Sequence, residues 1–473
     1  MKLFKKFASI VLAFTMVMAI AMPSVVKAAG NGSITITGAK AGHTFQAYQI
    51  FAGDASGSTL SNLKWGSGVT LDGQTALGKA KEKADSLNDS SAAKDFAYEV
   101  SKYLATAAKE TNIYTNNNYV IDGLAPGYYL VKDKDGTVPQ EQAYTKFILE
   151  VVGTNVSAAV KSSVPTSEKK VKDTNDTTGE TTGWQDSADY DIGDQVPFQL
   201  TGNVADDYYQ YKGAYQLVFH DTLSDGLTVD RESFKVYKND GETAIDSSKY
   251  ELSFTDDHHF TVTIKDVKGL GTDVSKVKVE YTATLNENAV IGSVGNPNKM
   301  YMEFSNNPND EQGGNKGQTP EDKVIVFTYK VNINKYDSRR VPLVGAAFKL
   351  EKVLKDGGTK LVKEYTITEV YPDRKTFEFT GLDDGEYILT ETVTPDGYNT
   401  MDPVKFSITA SHDTNSDDPK LTDLNGNPVD GEIAFSTKLK TGTLTAGIIN
   451  YMGSELPSTG GMGTTVLNVA GTI

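Results

Sequence analysis

The chain has 473 residues, a formal net charge of −16, no cysteine and 38% hydrophobic residues. This length suggests about three domains of roughly 150 residues each. Nucleic acid is excluded as a partner, because its phosphates would repel so acidic a chain. Disulfides are excluded too, so an exported protein of this composition must resist unfolding by other means.

The N-terminus predicts a secretion signal. Three lysines within the first six residues precede an apolar run, Phe7 to Ile20, that is too short for a comfortable membrane span. An A-x-A-like cleavage site follows at Val26-Lys27-Ala28. We therefore expect residues 1–29 to be a signal peptide, so that the protein is secreted and contacts the membrane only transiently.

Residues 30–160 predict a β-sandwich domain with a helical insertion. The segment opens with strand-like alternation over residues 33–37, and strands return at residues 128–131 and 147–152. Between them, apolar residues recur at helical spacing on two successive faces. These residues are Leu77, Ala80, Ala84 and Leu87 on the first face, and Phe96, Ala97, Val100, Leu104 and Ala107 on the second.

The remaining chain predicts two further sandwiches. Residues 161–326 and 327–455 each contain several short alternating segments separated by Gly, Asp and Asn clusters, which is typical of immunoglobulin-like folds. The fold class expected for the whole chain is mainly β, with tandem immunoglobulin-like sandwiches.

A short motif near the C-terminus predicts covalent attachment. Leu456, Pro457, Ser458, Thr459 and Gly460 form an LPxTG-type sortase signal. Such a signal on an exported chain implies that an amide bond is made at Thr459. We interpret residues 456–473 as the sortase signal followed by a truncated hydrophobic tail.

Three residues of the last domain have the chemistry of a self-made cross-link. Lys335 alternates with Val331 and Ile333, so its side chain should face the core. Glu391 and Asn450 each end a predicted strand. Burial favours the neutral, nucleophilic amine and a protonated acid, which together could join lysine to asparagine with loss of ammonia. The alternative is a buried Lys335–Glu391 salt bridge.

The order of motifs in this region resembles the collagen-adhesin B-type domain of Gram-positive surface proteins. The resemblance rests on Lys335-Tyr336-Asp337, Leu343 to Phe348, Gly381 to Thr392, Pro395 to Tyr398 and Ile448 to Asn450. It implies a Lys335–Asn450 isopeptide bond with Glu391 as the catalytic acid.

The middle domain resembles a second pilin domain, the partner of the collagen-adhesin B-type domain in Gram-positive pilins. The resemblance rests on residues 168–171, on Phe219 to Leu223, on Tyr281 to Asn286 and on Phe304 to Pro308. It implies a bond from Lys169 to Asn306, with Asp221 as the acid. Alternation places Lys169, rather than Lys170, on the face of Val171. Because Lys169 is followed by Lys170 and Asn306 by Asn307, Lys170 and Asn307 remain the alternative bonding residues.

The whole mature chain resembles a sortase-assembled backbone (major) pilin. This resemblance implies a structural shaft subunit of a cell-wall-anchored pilus, in which sortase joins Thr459 to Lys161 of the next identical subunit. Lys172 and Lys170 are the alternative linking residues. Sortase and identical subunits are the expected partners, with tip and base pilins as further candidates. Thr37, Gly38, Lys132 and Asp133 depart from the bonding pattern in the first domain, so no isopeptide bond is expected there.

Other functions have weaker support. The five histidines show no metal-ligand spacing, and we expect no metal, no cofactor and no enzymatic turnover beyond single self-modification. The acidic loop from Asp413 to Asp430 is better explained as a solvated loop than as a calcium site. A wall-anchored adhesin that binds host matrix or glycan is the alternative function.

Overall fold

The protein was examined in a computed structural model that describes residues 32–160, 163–370, 373–454 and 456. These residues form two compact units. Unit 1 contains the described residues up to Ser163 together with Asn306–Glu311. Unit 2 contains Val164–Ser305 and the described residues from Gln312 onward. The predicted signal peptide, Lys161 and Pro457 to Gly460 lie outside the described residues.

Unit 1 is built from two antiparallel-rich sheets. Its strands are β1 Gly32–Thr37, β2 Phe45–Ser56, β3 Thr59–Trp65, β4 Lys109–Thr111, β5 Tyr114–Thr115, β6 Asn118–Leu124, β7 Gly127–Asp133, β8 Ile148–Val152 and β9 Asn155–Ala159. One sheet has the order β5-β6-β1-β9, and the other has the order β3-β2-β7-β8 with β4 on β2. Strands β1 and β9 are parallel neighbours.

The predicted helical insertion of unit 1 is confirmed, and it consists of three helices. These are α1 Leu71–Leu77, α2 Ala80–Asp85 and α3 Ser90–Ser101. Gly78 ends α1 with a φ of 84°, a conformation that suits glycine. Asp89 caps α3 by accepting hydrogen bonds from the backbone N–H groups of Ser91 and Ala92. Local capping therefore divides what the apolar spacing suggested was a longer helical stretch.

The first half of unit 2 contains two sheets around one core. Its strands are β10 Ser167–Val171, β11 Ser187–Asp189, β12 Gln195–Asn203, β13 Leu217–Leu223, β14 Leu227–Val229, β15 Lys235–Lys238, β16 Tyr250–Phe254, β17 His259–Ile264, β18 Lys276–Leu285, β19 Asn296–Ser305, β20 Lys316–Gln318 and β21 Asp322–Phe327. The sheet orders are β10-β12-β18-β14, with β15 on β18, and β11-β21-β19-β13-β17-β16, with β20 on β19.

The second half of unit 2 has its own two sheets and its own core. Its strands are β22 Tyr329–Asp337, β23 Ala347–Val353, β24 Thr359–Glu364, β25 Thr376–Leu382, β26 Gly385–Val393, β27 Val404–His412, β28 Leu421–Asp430, β29 Phe435–Lys438 and β30 Thr443–Asn450, and it includes helix α4, Ile367–Val370. The sheet orders are β25-β22-β30-β29 and β24-β23-β26-β27-β28. Strands β22 and β30 are parallel neighbours.

The predicted mainly β fold is confirmed. In the long strands β18, β19 and β22, buried residues alternate with partly exposed ones, as expected for strands with one face on a core. Four short 3₁₀ helices complete the described helices: Tyr208–Gln210, Ser247–Lys249, Val267–Leu270 and Leu439–Thr441. None of the helices in the described part of the chain is long and apolar enough to span a membrane.

Candidate functional site

Lys335, Glu391 and Asn450 meet in the core of the second half of unit 2. Strand β22 carries Lys335 on its buried face, and its side chain is fully buried. The parallel register places Lys335 opposite Ile448 and Asp337 opposite Asn450. Nζ of Lys335 donates a hydrogen bond to Oδ1 of Asn450 and lies 4.0 Å from Oε1 of Glu391.

The carboxamide of Asn450 is held between the lysine and the acid. Its Nδ2 donates to both carboxylate oxygens of Glu391, at 3.0 Å each, and to the carbonyl oxygen of Asn399 at 2.9 Å. Oε2 of Glu391 also accepts from the backbone N–H of Met401 at 2.9 Å. The acid therefore contacts the nitrogen that would leave, while the amine contacts the carbonyl group that it would attack.

The environment of Lys335 favours the neutral amine. Burial lowers its pKa from 10.5 to about 8, against the opposing effect of the Glu391 charge. At pH 7 this raises the fraction of neutral amine roughly 300-fold over that of a solvated lysine. A neutral primary amine in contact with a carboxamide supplies the two groups that react in amide exchange.

A second buried lysine forms a similar cluster in the first half of unit 2. Nζ of Lys169 donates to Oδ2 of Asp221 and, at 3.1 Å, to the hydroxyl oxygen of Tyr281. Its Nζ also lies 5.4 Å from the ring centroid of Phe198. Burial lowers the pKa of Lys169 and raises that of Asp221, although each charge opposes the shift of the other. These directions favour a neutral amine beside a protonated acid.

The carboxamide that completes this cluster belongs to Asn298, not to Asn306. Nδ2 of Asn298 donates to the Tyr281 hydroxyl at 2.7 Å, and this is the hydroxyl that Lys169 contacts. Asn298 is fully buried, and its Oδ1 has no hydrogen-bond partner among the described residues. Its strand pairs with β13, which carries Asp221.

The structure does not bring Asn306 to Lys169. Strand β19 ends at Ser305, so Asn306 lies eight residues beyond Asn298, roughly 26 Å farther along an extended chain. Asn306 belongs to unit 1, where its Nδ2 donates to the carbonyl oxygen of Gln142 at 3.3 Å. The alternative residue Asn307 caps its own turn by accepting from Asn309.

Comparison with known proteins gives the two halves of unit 2 a family context. The model of the Gram-positive pilin backbone subunit 2, Cna-B-like domain matches residues 192–308. The model of the SpaA prealbumin-like fold domain matches residues 329–423.

Residues 192–308 are thus similar to a Gram-positive pilin backbone domain. Among curated proteins, the trypsin-resistant surface T6 protein of Streptococcus pyogenes serotype M6 is 26% identical over 278 residues. That match covers 54% of this chain and 47% of the T6 protein, so it spans about half the length of this relative. The predicted resemblance to Gram-positive backbone pilins is confirmed.

Solved structures of backbone pilins share the fold. The T6 backbone pilin of S. pyogenes serotype M6, described as a modular three-domain structure, aligns with a TM-score of 0.61 at 20% identity, covering 91% of this chain and all of that one. The full-length major pilin SpaD of Corynebacterium diphtheriae aligns with a TM-score of 0.53 at 18% identity, covering 89% and 98%.

The two lysines of the doublet differ in burial. Lys169 is fully buried, whereas Lys170 is partly exposed and pairs with Asp186 at 2.5 Å and with Glu168 at 3.1 Å. Lys172 lies over the ring of Trp184 at 4.7 Å. The two alternative linking lysines are therefore both engaged with neighbouring side chains.

A third buried lysine was not predicted from the sequence. Nζ of Lys352 donates to Oδ1 of Asp383 and to Oδ2 of Asp191 at 3.1 Å. Burial lowers its pKa, but the charges of these aspartates outweigh that effect and raise it. This lysine stays charged within an acidic cage, so it lacks the neutral amine that the other two sites favour.

Unit 1 has a buried histidine–aspartate pair in place of a lysine cluster. Nδ1 of His43 lies 2.7 Å from Oδ1 of Asp133, and Nε2 lies 2.8 Å from Oε1 of Gln142. Oδ2 of Asp133 accepts from the backbone N–H and the hydroxyl of Thr145. Asp133 ends β7 much as Glu391 lies near the end of β26, but neither of its neighbours is an amine.

Proposed function

We propose that this chain is the shaft subunit of a covalently polymerised, cell-wall-anchored pilus of a Gram-positive bacterium. Two internal Lys–Asn isopeptide bonds stabilise it, from Lys335 to Asn450 and from Lys169 to Asn298. The observation that carries the proposal is the buried contact of Lys335 with Asn450 beside Glu391, in a chain with a pilin backbone domain.

The reaction at Lys335 needs no external reagent. The neutral Nζ attacks Cγ of Asn450, and the carbonyl electrons move to Oδ1. One Nζ proton passes to the Glu391 carboxylate, and the carboxyl group returns a proton to Nδ2. The C–N bond to Nδ2 breaks, ammonia leaves, and a secondary amide joins Nζ to Cγ. Glu391 ends as it began and acts as a proton carrier in a single turnover.

The same bonds would form and break at Lys169, except that Asp221 begins protonated. It would first donate a proton to the asparagine carboxamide and then take one from Nζ, so it too ends as it began. Tyr281 donates to Oδ1 of Asp221 at 3.1 Å and accepts from both Lys169 and Asn298. Its hydroxyl therefore orients the amine, the acid and the carboxamide together. We take Asn298 as the bonding partner in place of Asn306, because Asn298 shares this hydroxyl with the lysine.

With these bonds in place, tensile force would bypass most of the residues in each half of unit 2. Lys335 and Asn450 are 115 residues apart and lie on the first and last long strands of their half. Closing a loop of this length constrains the unfolded chain by about 5 kcal/mol on the disulfide scale. Such a bond is well suited to a subunit that must transmit load along a fibre.

Polymerisation is proposed through the sortase signal. Sortase would cleave between Thr459 and Gly460, and Lys161 of the next subunit would attack the resulting thioester. Leu456, the described residue of the signal, is 86% exposed, and the adjacent Tyr451 and Met452 are also exposed. An accessible C-terminal segment supports capture of this peptide by an enzyme.

Intact mass after full denaturation tests the internal bonds. The mature chain should fall short of its calculated mass by two ammonia molecules, and Lys169→Ala and Lys335→Ala should each restore one. Lys349→Ala, a change on the surface of β23, should leave the deficit unchanged. A full calculated mass for the wild type would refute both bonds.

Polymerisation is tested separately in cells that carry the cognate sortase. Shaft subunits give a ladder of sodium dodecyl sulfate-resistant bands, which Lys161→Ala should abolish. A single wall-linked band from the wild-type chain would favour a monomeric wall-anchored adhesin instead. Because folding chemistry and sortase chemistry use different residues, either result can be obtained without the other.

A further inference from the structure

A second type of polar cluster lies where the two halves of unit 2 meet. Asp173 follows β10, Asp189 ends β11, and His412 ends β27. One side-chain atom from each lies within 4.8 Å of the other two. Nε2 of His412 is 3.6 Å from Oδ2 of Asp173 and 3.7 Å from Oδ1 of Asp189.

The hydrogen bonds of Ser187 fix the tautomer of this histidine. Oγ of Ser187 lies 2.6 Å from the carbonyl oxygen of Asp413, to which it can only donate. Nδ1 of His412 lies 2.7 Å from the same Oγ and must therefore carry the proton that Oγ accepts. In the neutral ring, Nε2 then presents its lone pair to two carboxylates. Such a buried arrangement is unfavourable unless a proton or a metal ion lies between the nitrogen and the carboxylates.

The distances match shared coordination rather than direct hydrogen bonds. N–H···O bonds span about 2.7–3.2 Å, and both His412 contacts are longer. Ligand atoms about 2.0–2.2 Å from a tetrahedral ion lie roughly 3.3–3.6 Å apart. The distances from Nε2 to the two aspartate oxygens are therefore close to the spacing of ligands around such an ion.

Two buried oxygens of this region lack a hydrogen-bond partner of normal length. One is Oδ1 of Asp173, which has no partner within the described residues. The other is the fully buried hydroxyl of Tyr329, whose electrostatic neighbours are Asp189 and Asp173. Such orphaned groups in a buried site call for an additional ligand.

The other oxygen of Asp189 is already held in place. It accepts from the backbone N–H of Asp384 at 3.3 Å. Together with Ser187 on the far nitrogen of His412, this contact supplies the outer-shell support that orients metal ligands.

We propose that Asp173, Asp189 and His412 bind one divalent transition-metal ion of the Zn²⁺ class, which clamps the two halves of unit 2 together. One imidazole and two carboxylates suit such an ion, whereas calcium and magnesium prefer oxygen ligands alone. A fourth position remains for water or for the Tyr329 hydroxyl.

A neighbouring cluster of three aspartates is neutralised by lysines. Asp176, Asp191 and Asp194 also converge, but Lys352 lies 3.4 Å from Asp176 and 3.1 Å from Asp191, and Lys360 lies 3.0 Å from Asp194. Lysine ammonium groups thus neutralise that group from within the chain. Within the described ranges, no lysine or arginine pairs with Asp173 or Asp189.

A proton is the competing occupant of the His412 site. Burial lowers the pKa of His412, but the two carboxylates outweigh it and raise the pKa to about 9. The test must therefore distinguish a bound metal ion from an ion-paired imidazolium alone.

Zn²⁺ titration of the mature chain by calorimetry, after chelator treatment, provides that test. We expect one Zn²⁺ to bind per chain. His412→Ala and Asp189→Asn should abolish binding or weaken the affinity at least about 100-fold, because loss of outer-shell support alone costs 10–100-fold in affinity. Ser187→Ala, which keeps all three ligands, should weaken binding about 10-fold. His259→Ala is the matched control, because His259 pairs with Asp256 at 2.9 Å on the surface without a third ligand.

Unfolding temperature in chelator separates ligand loss from misfolding. If Asp189→Asn melts far below the wild type, Asp173→Asn replaces it, since that side chain is 14% exposed. Stoichiometric binding that depends on His412 and not on His259 supports the site. No Zn²⁺ binding by the wild type, or binding that His412→Ala leaves intact, would overturn it and leave an ion-paired imidazolium only.

Discussion

Lys335 and Asn450 are diagonal neighbours on the parallel strands β22 and β30, and the lysine amine donates to the asparagine carbonyl oxygen. Force that enters β22 at its N-terminal end would reach Lys335, cross to Asn450 and leave at the end of β30. The proposed covalent bond at this point would remove the intervening residues from the load path. The same residue pair would then link folding chemistry to mechanical function.

Single-molecule pulling should detect that load path. With the bond formed, the second half of unit 2 should show no unfolding extension between Lys335 and Asn450. Lys335→Ala should release about 115 residues, or roughly 40 nm of contour length. Lys349→Ala should remain inextensible, since Lys349 pairs with Glu351 at the surface. A wild-type domain that extends by the full length would show that no bond forms.

Asparagine substitutions should separate the two candidates for the middle bond. Asn298→Ala should restore one ammonia mass, because Asn298 shares the Tyr281 hydroxyl with Lys169. Asn306→Ala should leave the mass deficit unchanged, because strand β19 ends before that residue. The opposite pattern would reinstate Asn306, which the sequence resemblance implied.

The burial of both candidate lysines could be predicted from the sequence, whereas their roles in a bond stay predictions. Alternation along β22 and β10 is a local pattern, so the burial of Lys335 and Lys169 could be predicted from it. Asn298 also lies on the buried face of an alternating strand, beside Met300 and Met302. This alternation makes Asn298 a candidate partner for Lys169, beside the Asn306–Asn307 doublet that the resemblance implied.

The polar clusters around Lys352 and His412 could not be predicted from the sequence, because they depend on long-range contacts. Lys352 meets Asp191 across 161 residues, and His412 meets Ser187 across 225. No spacing rule covers such separations, since the packing of two sandwich halves creates the contacts. The histidines accordingly showed no metal-ligand pattern, although His412 lies beside the buried Asp189 and the partly buried Asp173.

Unreacted Lys335 should make stability depend on pH with a defined sign. Asn450→Ala prevents the bond and leaves a buried lysine with a pKa of about 8, below its unfolded value of 10.5. Between these values the unfolded chain binds more protons, so the free energy of unfolding should rise with pH by up to about 1.4 kcal/mol per unit. Well below pH 8 Lys335 is charged in both the folded and the unfolded state, so it no longer contributes to this slope.

Urea unfolding at several pH values measures this slope. Adding Lys335→Met to the Asn450→Ala variant removes the titrating group, so the difference between the two slopes isolates Lys335 from other lysines and tyrosines. Parallel slopes would mean that the lysine is solvated in the folded state.

Removal of Lys352 should destabilise unit 2 more than removal of a surface lysine. Lys352→Met removes the lysine that pairs with Asp383 and leaves Asp191 only the more distant Lys360, at 3.8 Å. Breaking a buried pair in this way typically costs about 3–5 kcal/mol. Lys349→Met on the same strand should cost less than about 1 kcal/mol. Burial already raises the pKa of Asp383, and loss of Lys352 would raise it further.

The pH dependence of that variant provides its check. Asp383 would bind a proton more readily in the folded than in the unfolded state, so the free energy of unfolding of Lys352→Met should increase as pH falls from 7 to 5. Equal losses in Lys352→Met and Lys349→Met at pH 7 would rule out the acidic cage as a stabilising element.

Unit 1 should be the first part of the chain to yield to heat and protease. Its described core contains a buried His43–Asp133 pair, and a hydrogen bond does not constrain the unfolded chain as a covalent loop does. Trypsin added during a temperature ramp should therefore remove residues 32–160 before unit 2 is cut. In the Lys169→Ala/Lys335→Ala double variant, the difference in cleavage temperature should shrink or vanish. If unit 1 and unit 2 were cut together in the wild type, the resistance of unit 2 could not be attributed to its proposed bonds.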